Sequence, residues 1–216
     1  MSSPLAHHRK FLAEFRRNFH TTGAILPSGR YLARALTRQL ADLPAPRRIL
    51  EAGPGTGPVT AELLRQLGPE DRVDLVEWNP AFVELLQERF ARDPRFVPHA
   101  ARCRVIHERV EALDGGGQYD LIVSGLPLNN FAVPVVAEIL QAFRRLLRPG
   151  GRLSFFEYAA IRRAKALVSG SEQRARLQGV ARELDGFLAA TAARRELVWR
   201  NVPPAWVHHV LLPGGA

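Results

Sequence analysis

The residues with the plainest chemical purpose lie in Ile49-Leu50-Glu51-Ala52-Gly53-Pro54-Gly55-Thr56-Gly57. This is an apolar strand that ends in a glycine-rich turn and opens a helix. Glycine suits a turn whose backbone must approach a ligand with no Cβ in the way. Glu77 ends the next apolar run, where a carboxylate can accept hydrogen bonds from both hydroxyls of a ribose. Together these parts call for a nucleoside-bearing cofactor, and a nicotinamide dinucleotide would use the same ones. A second group, Ser124-Gly125-Leu126-Pro127, stands at the tip of a later strand. Ligands of open parallel sheets sit at the carboxyl ends of the strands, so this loop should face the reacting end of the cofactor.

Such residues need a sheet to hold them. Apolar runs predict strands over 48–52, 73–77, 104–107, 119–124, 151–158, 196–200 and 207–212, and helical patterns fall over 59–67, 80–92 and 133–147. The alternation predicts an α/β fold with a mostly parallel sheet flanked by helices. Two segments stand outside it. Residues 5–42 precede the first strand, and the Ala-, Arg- and Glu-rich stretch 161–195 reads as one or two helices broken near Ser169-Gly170-Ser171.

The chain has 216 residues and a net charge of +9, which points to an anionic partner, nucleic acid or membrane face. Arginine far outnumbers lysine, a bias that a GC-rich genome would also produce. No run is long and apolar enough to span a bilayer, and no secretion signal is evident at the start. Cys103 is the single cysteine, expected to be buried and inert, which excludes an internal disulfide and fits a reducing compartment.

Residues 1–40 carry seven Arg or Lys against one acid. Phe11, Phe15 and Phe19 recur every four residues and share a helical face, with Arg9, Lys10, Arg16 and Arg17 around them. Such a helix suits the interface of an anionic membrane, and an ordinary helix packed on its own domain or an RNA contact would also account for it. Ser28 is placed to cap the helix that follows.

The Gly-x-Gly-x-Gly form, with Glu51 two residues ahead of Gly53, resembles the first motif of class I methyltransferases; dinucleotide folds more often show Gly-x-Gly-x-x-Gly. The resemblance implies a Rossmann-like, seven-stranded sheet with one antiparallel strand. It implies S-adenosyl-L-methionine as cofactor and S-adenosyl-L-homocysteine as product. Gly53, Pro54, Gly55, Thr56 and Gly57 would cradle the cofactor, with Glu51 near its methionine part, Glu77 on the ribose, and Trp78 and Asn79 flanking the adenosine. Many such enzymes place an Asp after the third strand for the adenine amino group. Here Glu108, Arg109 and Val110 follow, so either Glu108 substitutes or backbone groups of Arg109 and Val110 serve.

The Ser124–Pro127 loop resembles the (Asn/Asp/Ser)-x-Pro-(aromatic) motif of methyltransferases that modify amino groups. Ser124, Leu126 and Pro127 would then hold the acceptor nitrogen, with Ser124 also bordering the cofactor. Base-modifying enzymes put a stacking ring after the proline, and Leu128 there favours a non-aromatic amine. Tyr158 or a nearby His would relay the amine's proton, the alternative for Tyr158 being a core residue.

Gly23-Ala24-Ile25-Leu26-Pro27-Ser28, Ser124-Gly125-Leu126-Pro127-Leu128 and Trp199-Arg200-Asn201-Val202-Pro203-Pro204-Ala205 together resemble bacterial phospholipid N-methyltransferases, which carry phosphatidylethanolamine toward phosphatidylcholine. That resemblance implies membrane contact and a site cover from residues 1–42, with Gly23 and Ile25 on the cofactor. Residues 43–216 would form the catalytic domain of a monomer lying peripherally on the cytoplasmic face of the membrane. Ornithine-type aminolipids are an alternative substrate. The rRNA adenine dimethyltransferases are the rival family, disfavoured because the chain ends after its seventh strand and lacks the stacking ring. A cofactor-binding module without catalysis is a further alternative. No metal is expected, because the adjacent pairs His7-His8 and His208-His209 point apart.

Overall fold

The computed structural model describes residues 29–159 and 171–214. The basic aromatic helix expected over 7–20 (Arg9, Lys10, Phe11, Phe15, Arg16, Arg17, Phe19), the cofactor contacts at Gly23 and Ile25, and the cap at Ser28 lie outside those residues. The first described helix, α1 (Arg30–Thr37), begins with Gly29 in the cap position and no side-chain cap. Gly29 N instead donates to Asn201 Oδ1 at 3.1 Å, which ties the start of α1 to the far end of the chain.

Strands β1 (Arg48–Ala52), β2 (Arg72–Glu77), β3 (Cys103–His107), β4 (Tyr119–Ser124), β5 (Leu147–Tyr158), β6 (Ala192–Val198) and β7 (Ala205–Leu211) form one sheet in the order β3-β2-β1-β4-β5-β7-β6. β7 alone is antiparallel to its neighbours, pairing with both β5 and β6. This is the Rossmann-like methyltransferase topology. The central strands β1, β2 and β4 are buried along nearly their whole length, as parallel strands covered on both faces must be, which is why they read as largely apolar runs, interrupted by Glu51, Asp74 and Asp120.

Helices cover both faces. On one, Leu32, Leu36 and Leu40 pack with Val59 and Leu63 of α2 (Pro58–Leu64) onto Leu121 and Phe156. On the other, Ile139 and Phe143 of α4 (Val133–Leu146) and Val180 and Leu184 of α5 (Ser171–Ala189) pack onto Ile122, Leu153, Phe155 and Val210. Each such fully buried side chain contributes about 1.5–3 kcal/mol. The helix α3 (Pro80–Arg92) follows β2. Cys103 opens β3 half-buried, and burial pushes its thiol up to about 12, so it stays protonated and inert.

Several boundaries differ from expectation. The helix expected over 59–67 stops at Leu64, because Gln66 N turns back to Leu63 O at 2.9 Å ahead of Gly68. The fifth strand starts at Leu147, paired with Tyr119 before a bulge, and not at Gly151. The sixth strand spans 192–198 and not 196–200. Thr191 ends α5 by donating its hydroxyl to Leu188 O at 3.1 Å, and Ala192 then pairs with Leu211. Residues 192–195 therefore belong to an edge strand although their composition reads as helix, and Arg200 falls in the β6–β7 turn.

Candidate active site

The carboxyl ends of β1, β2, β4 and β5 share one edge of the sheet, and the chain reverses direction of winding between β1 and β4. A crevice opens at such a switch point, and the glycine turn after β1 borders it. Gly53 takes φ +71°, and a Cβ on it would stand 2.5 Å from Leu126 Cδ2. Gly55, at φ +57°, has nothing within 4 Å of where a Cβ would project. The first glycine is thus required by contact with the transfer loop, and the second faces open space for a ligand.

Glu77 underlies this turn. Its carboxylate accepts from Gly55 N at 3.1 Å and from Asn79 N at 2.8 Å, and burial raises its pKa. Asn79 is engaged as the cap of α3, accepting from Ala81 N at 3.0 Å. Trp78 stands half-buried beside His107, with ring centroids 5.9 Å apart and His107 Nε2 3.1 Å from Trp78 O. His107 closes a side of the slot that the sequence motif does not reveal. Arg89 is another unanticipated part: its guanidinium donates to Thr56 O at 2.6 Å and clamps the turn from outside.

Glu51 is fully buried against α2, and both carboxylate oxygens, like the Thr60 hydroxyl beside them, lack a hydrogen-bond partner. Burial, the dominant influence, pushes its pKa up to about 8. After β3, the Glu108 carboxylate accepts from Arg109 N at 2.8 Å, the Arg109 guanidinium bonds Glu111 at 2.6 Å, and Val110 is buried. Glu108 thus stands in the place of the expected Asp, with one carboxylate oxygen engaged by the next backbone N–H.

The transfer loop is interlocked with the glycine turn. Gly125 N donates to Ala52 O at 2.8 Å, and a Cβ on Gly125 would lie 2.6 Å from Gly53 O. Leu126 N donates to Ser124 Oγ at 3.3 Å, and Pro127 opens a short 3-10 turn. Leu128 is only 1% exposed and belongs to the core. Its side chain therefore offers no wall to an acceptor.

Tyr158 lies half-buried, its ring edge-on to Phe156 at 5.1 Å, and burial raises its pKa. It shares the α1 face of the sheet with Phe156, whereas Ile122, and by alternation Ser124, point to the opposite face. Glu157 and His208 occupy that opposite face, with His208 Nε2 2.9 Å from Glu157 Oε1. The strand alternation that rules out His208-His209 as a joint ligand also separates their roles, but the cross-strand partners are set by register, which the sequence does not display. Among the described residues no group of His, Cys, Asp or Glu is gathered to hold a metal ion.

A protein-family profile described as "Methyltransferase domain" matches residues 49–151, from the first strand to the start of the fifth. Over 141 residues the chain is 30% identical to an ornithine lipid N-methyltransferase of Singulisphaera acidiphila, spanning 65% of this chain and 72% of that one. Ribosomal RNA small subunit methyltransferase A of Parasynechococcus marenigrum is 38% identical over 109 residues, which cover 50% of this chain but 34% of that enzyme. The 1,6-didemethyltoxoflavin-N1-methyltransferase of Burkholderia thailandensis, solved with 1,6-didemethyltoxoflavin and S-adenosylhomocysteine, superposes with a TM-score of 0.66 at 18% identity, covering 99% of this chain and 92% of that one. At that identity the likeness is one of fold.

Proposed function

The chain belongs to the class I S-adenosylmethionine-dependent methyltransferases, and on that footing we propose that it methylates the amine of a membrane aminolipid. The residues fit the cofactor: Gly55 opens onto free space, Glu77 offers a carboxylate beside it, and Glu51 holds buried polar atoms without partners. When bound, S-adenosylmethionine supplies an already activated methyl group, so the protein's task is to place the acceptor. Glu77 would accept from the ribose hydroxyls, with Trp78 and His107 beside the adenosine and Glu51 behind the methionine part.

The observation that carries the reading is the contact of the Ser124–Pro127 loop with Gly53. A nitrogen held by the oxygens of that loop lies next to the turn that holds the cofactor. An alkylammonium must first shed a proton to free its lone pair. Burial keeps the Tyr158 phenol protonated, and its side chain faces away from Ser124, so it is poorly placed to take that proton.

The ornithine lipid relative supports a lipid amine and favours the alternative, an ornithine-type headgroup, over phosphatidylethanolamine. A membrane contact is supported by the β6–β7 turn, where Trp199 and Val202 are 68% and 65% exposed on either side of Arg200. Among the described residues no helix is long and apolar enough to cross a membrane, so contact would be peripheral. The test is incubation with labelled S-adenosylmethionine and vesicles containing phosphatidylethanolamine, ornithine lipid or neither, beside unmethylated ribosomal RNA. Label in an aminolipid is expected. Label in the RNA alone would replace this reading with the RNA one.

A further inference from the structure

A cavity of about 510 Å³ opens at the carboxyl end of β5, lined by Glu157, Tyr158, Arg195, Leu197, Trp206 and His208, with Ala159 at its edge. Its size is that of a small-molecule site. The floor is polar and almost closed to solvent: Glu157 and His208 are each 5% exposed and meet at 2.9 Å. Phe155 stacks on the His208 ring, centroids 4.8 Å apart and planes within 11°, and fixes its orientation. The walls are aromatic. The rim carries Arg195, whose guanidinium rests over the Trp206 ring 4.6 Å from its centroid, and Leu197, 45% exposed.

Register puts this cavity beside the transfer loop. Glu157 pairs with Trp206 and Phe155 with His208, so these four share a face, the one to which Ser124 also points. Val123 pairs with Ser154, so Ser124 adjoins Phe155 one strand away, and Glu157 lies two residues, roughly 7 Å, further toward the edge. A buried carboxylate among aromatic rings is a site for an ammonium group, and a guanidinium at the rim is a site for an anion. Their combination is complementary to a zwitterion.

Resting on the reading of the chain as an aminolipid methyltransferase, we propose that this cavity seats the zwitterionic headgroup, with its ammonium on Glu157 beside the Trp206 ring, its phosphate or carboxylate on Arg195, and its apolar part over Leu197. Glu157, steadied by His208, receives the proton that the ammonium sheds. The nitrogen keeps the electron pair of the broken N–H bond, and the proton passes on to solvent at the open side of the cavity. Tyr158 is then a wall and not the base.

Two soluble probes separate the possible sources of the headgroup: glycerophosphoethanolamine, with a phosphate, and Nα-acetylornithine, with a carboxylate. Each is titrated calorimetrically into the full chain in the presence of S-adenosylhomocysteine. We expect binding of at least one probe, weakened about tenfold or more by Glu157→Gln and by Arg195→Gln. S-adenosylhomocysteine affinity, measured separately, should stay within twofold and report an intact fold. Should Glu157→Gln fail to fold, Arg195→Gln and Trp206→Leu carry the test from the rim and wall. On lipid vesicles, Arg195→Gln should raise KM and leave kcat nearly unchanged.

Headgroup affinity and vesicle KM within twofold of wild type in these variants, with wild type active on lipid, would overturn the cavity assignment and leave the proposed function standing. Absence of transfer to any lipid, with probe binding still lost in the variants, would overturn the function and uphold the cavity as an amine site.

Discussion

Glu51 is a carboxyl whose environment favours the proton. In the unfolded chain it ionises near 4.5, and in the folded one burial moves that to about 8. Between these values the unfolded chain has released a proton that the folded chain still holds. The favourable contribution is thus complete below about pH 4.5 and fades as pH rises toward 8. Glu51→Gln should therefore raise the melting temperature at pH 8 by several degrees, with the gain closing by pH 5, as read by calorimetry without ligand. A gain of equal size at both pH values would mean that Glu51 ionises normally. The sequence displays Glu51, Gly53 and Glu77 because their spacing is local and tied to a single strand and turn. It does not display Glu157 and His208, which meet only through the pairing of β5 with β7. Leu128 shows the opposite difficulty: its place in the motif suggests a wall, and only packing reveals that the side chain turns into the core.

At the scale of elements, the last three strands are joined by a buried polar chain. Ser154 Oγ lies 3.0 Å from His209 Nδ1, His209 Nε2 lies 3.1 Å from Glu196 Oε1, and Gln39 Nε2 donates to Ser154 Oγ at 3.0 Å. The order Ser-His-Glu is that of a nucleophile with its base, but Ser154 is fully buried and no substrate can reach it. The chain instead fastens the turn after α1 to β5, β7 and β6. Burial, the leading influence, lowers the His209 pKa against the opposing pull of Glu196. The unfolded chain therefore takes up a proton first on acidification, and stability is full above about pH 6.5 and falls below it. His209→Gln should cost about 1–3 kcal/mol at pH 7.5 in urea unfolding and flatten the decline between pH 7.5 and 5.5. An unchanged decline would place its cause elsewhere. The parallel strands were legible as apolar runs with one meaning. β6 was not, because an edge strand spaced with arginines such as Arg194 and Arg195 has the composition of a solvated helix, and only its ladder with β7 decides.

Over the whole molecule, helices close both faces of the sheet and leave the carboxyl edge for ligands. The turn bearing Trp199, Arg200 and Val202 is bound to that edge, since Ala159 N donates to Pro204 O at 2.8 Å and Asn201 holds Gly29. Exposed apolar side chains beside arginine are suited to the headgroup region of an anionic bilayer, where each basic residue contributes about 1 kcal/mol. Trp199→Ala with Val202→Ser should reduce sedimentation with anionic vesicles several-fold at low salt while leaving S-adenosylhomocysteine affinity unchanged. Sedimentation equal to wild type would remove this turn from the membrane contact.

Gly53 and Gly125 meet main chain to main chain, with no side chain between them to yield. Neither turn can be displaced far without moving the other, so on the proposed function the donor and acceptor compartments would share one mechanical boundary. A molecule that settles one turn alters the other's hold on its own occupant, and by thermodynamic reciprocity the factor is the same in both directions. On the proposed function, discharge of the donor would be felt on the acceptor side, and release of the spent cofactor would be coupled to release of the methylated product.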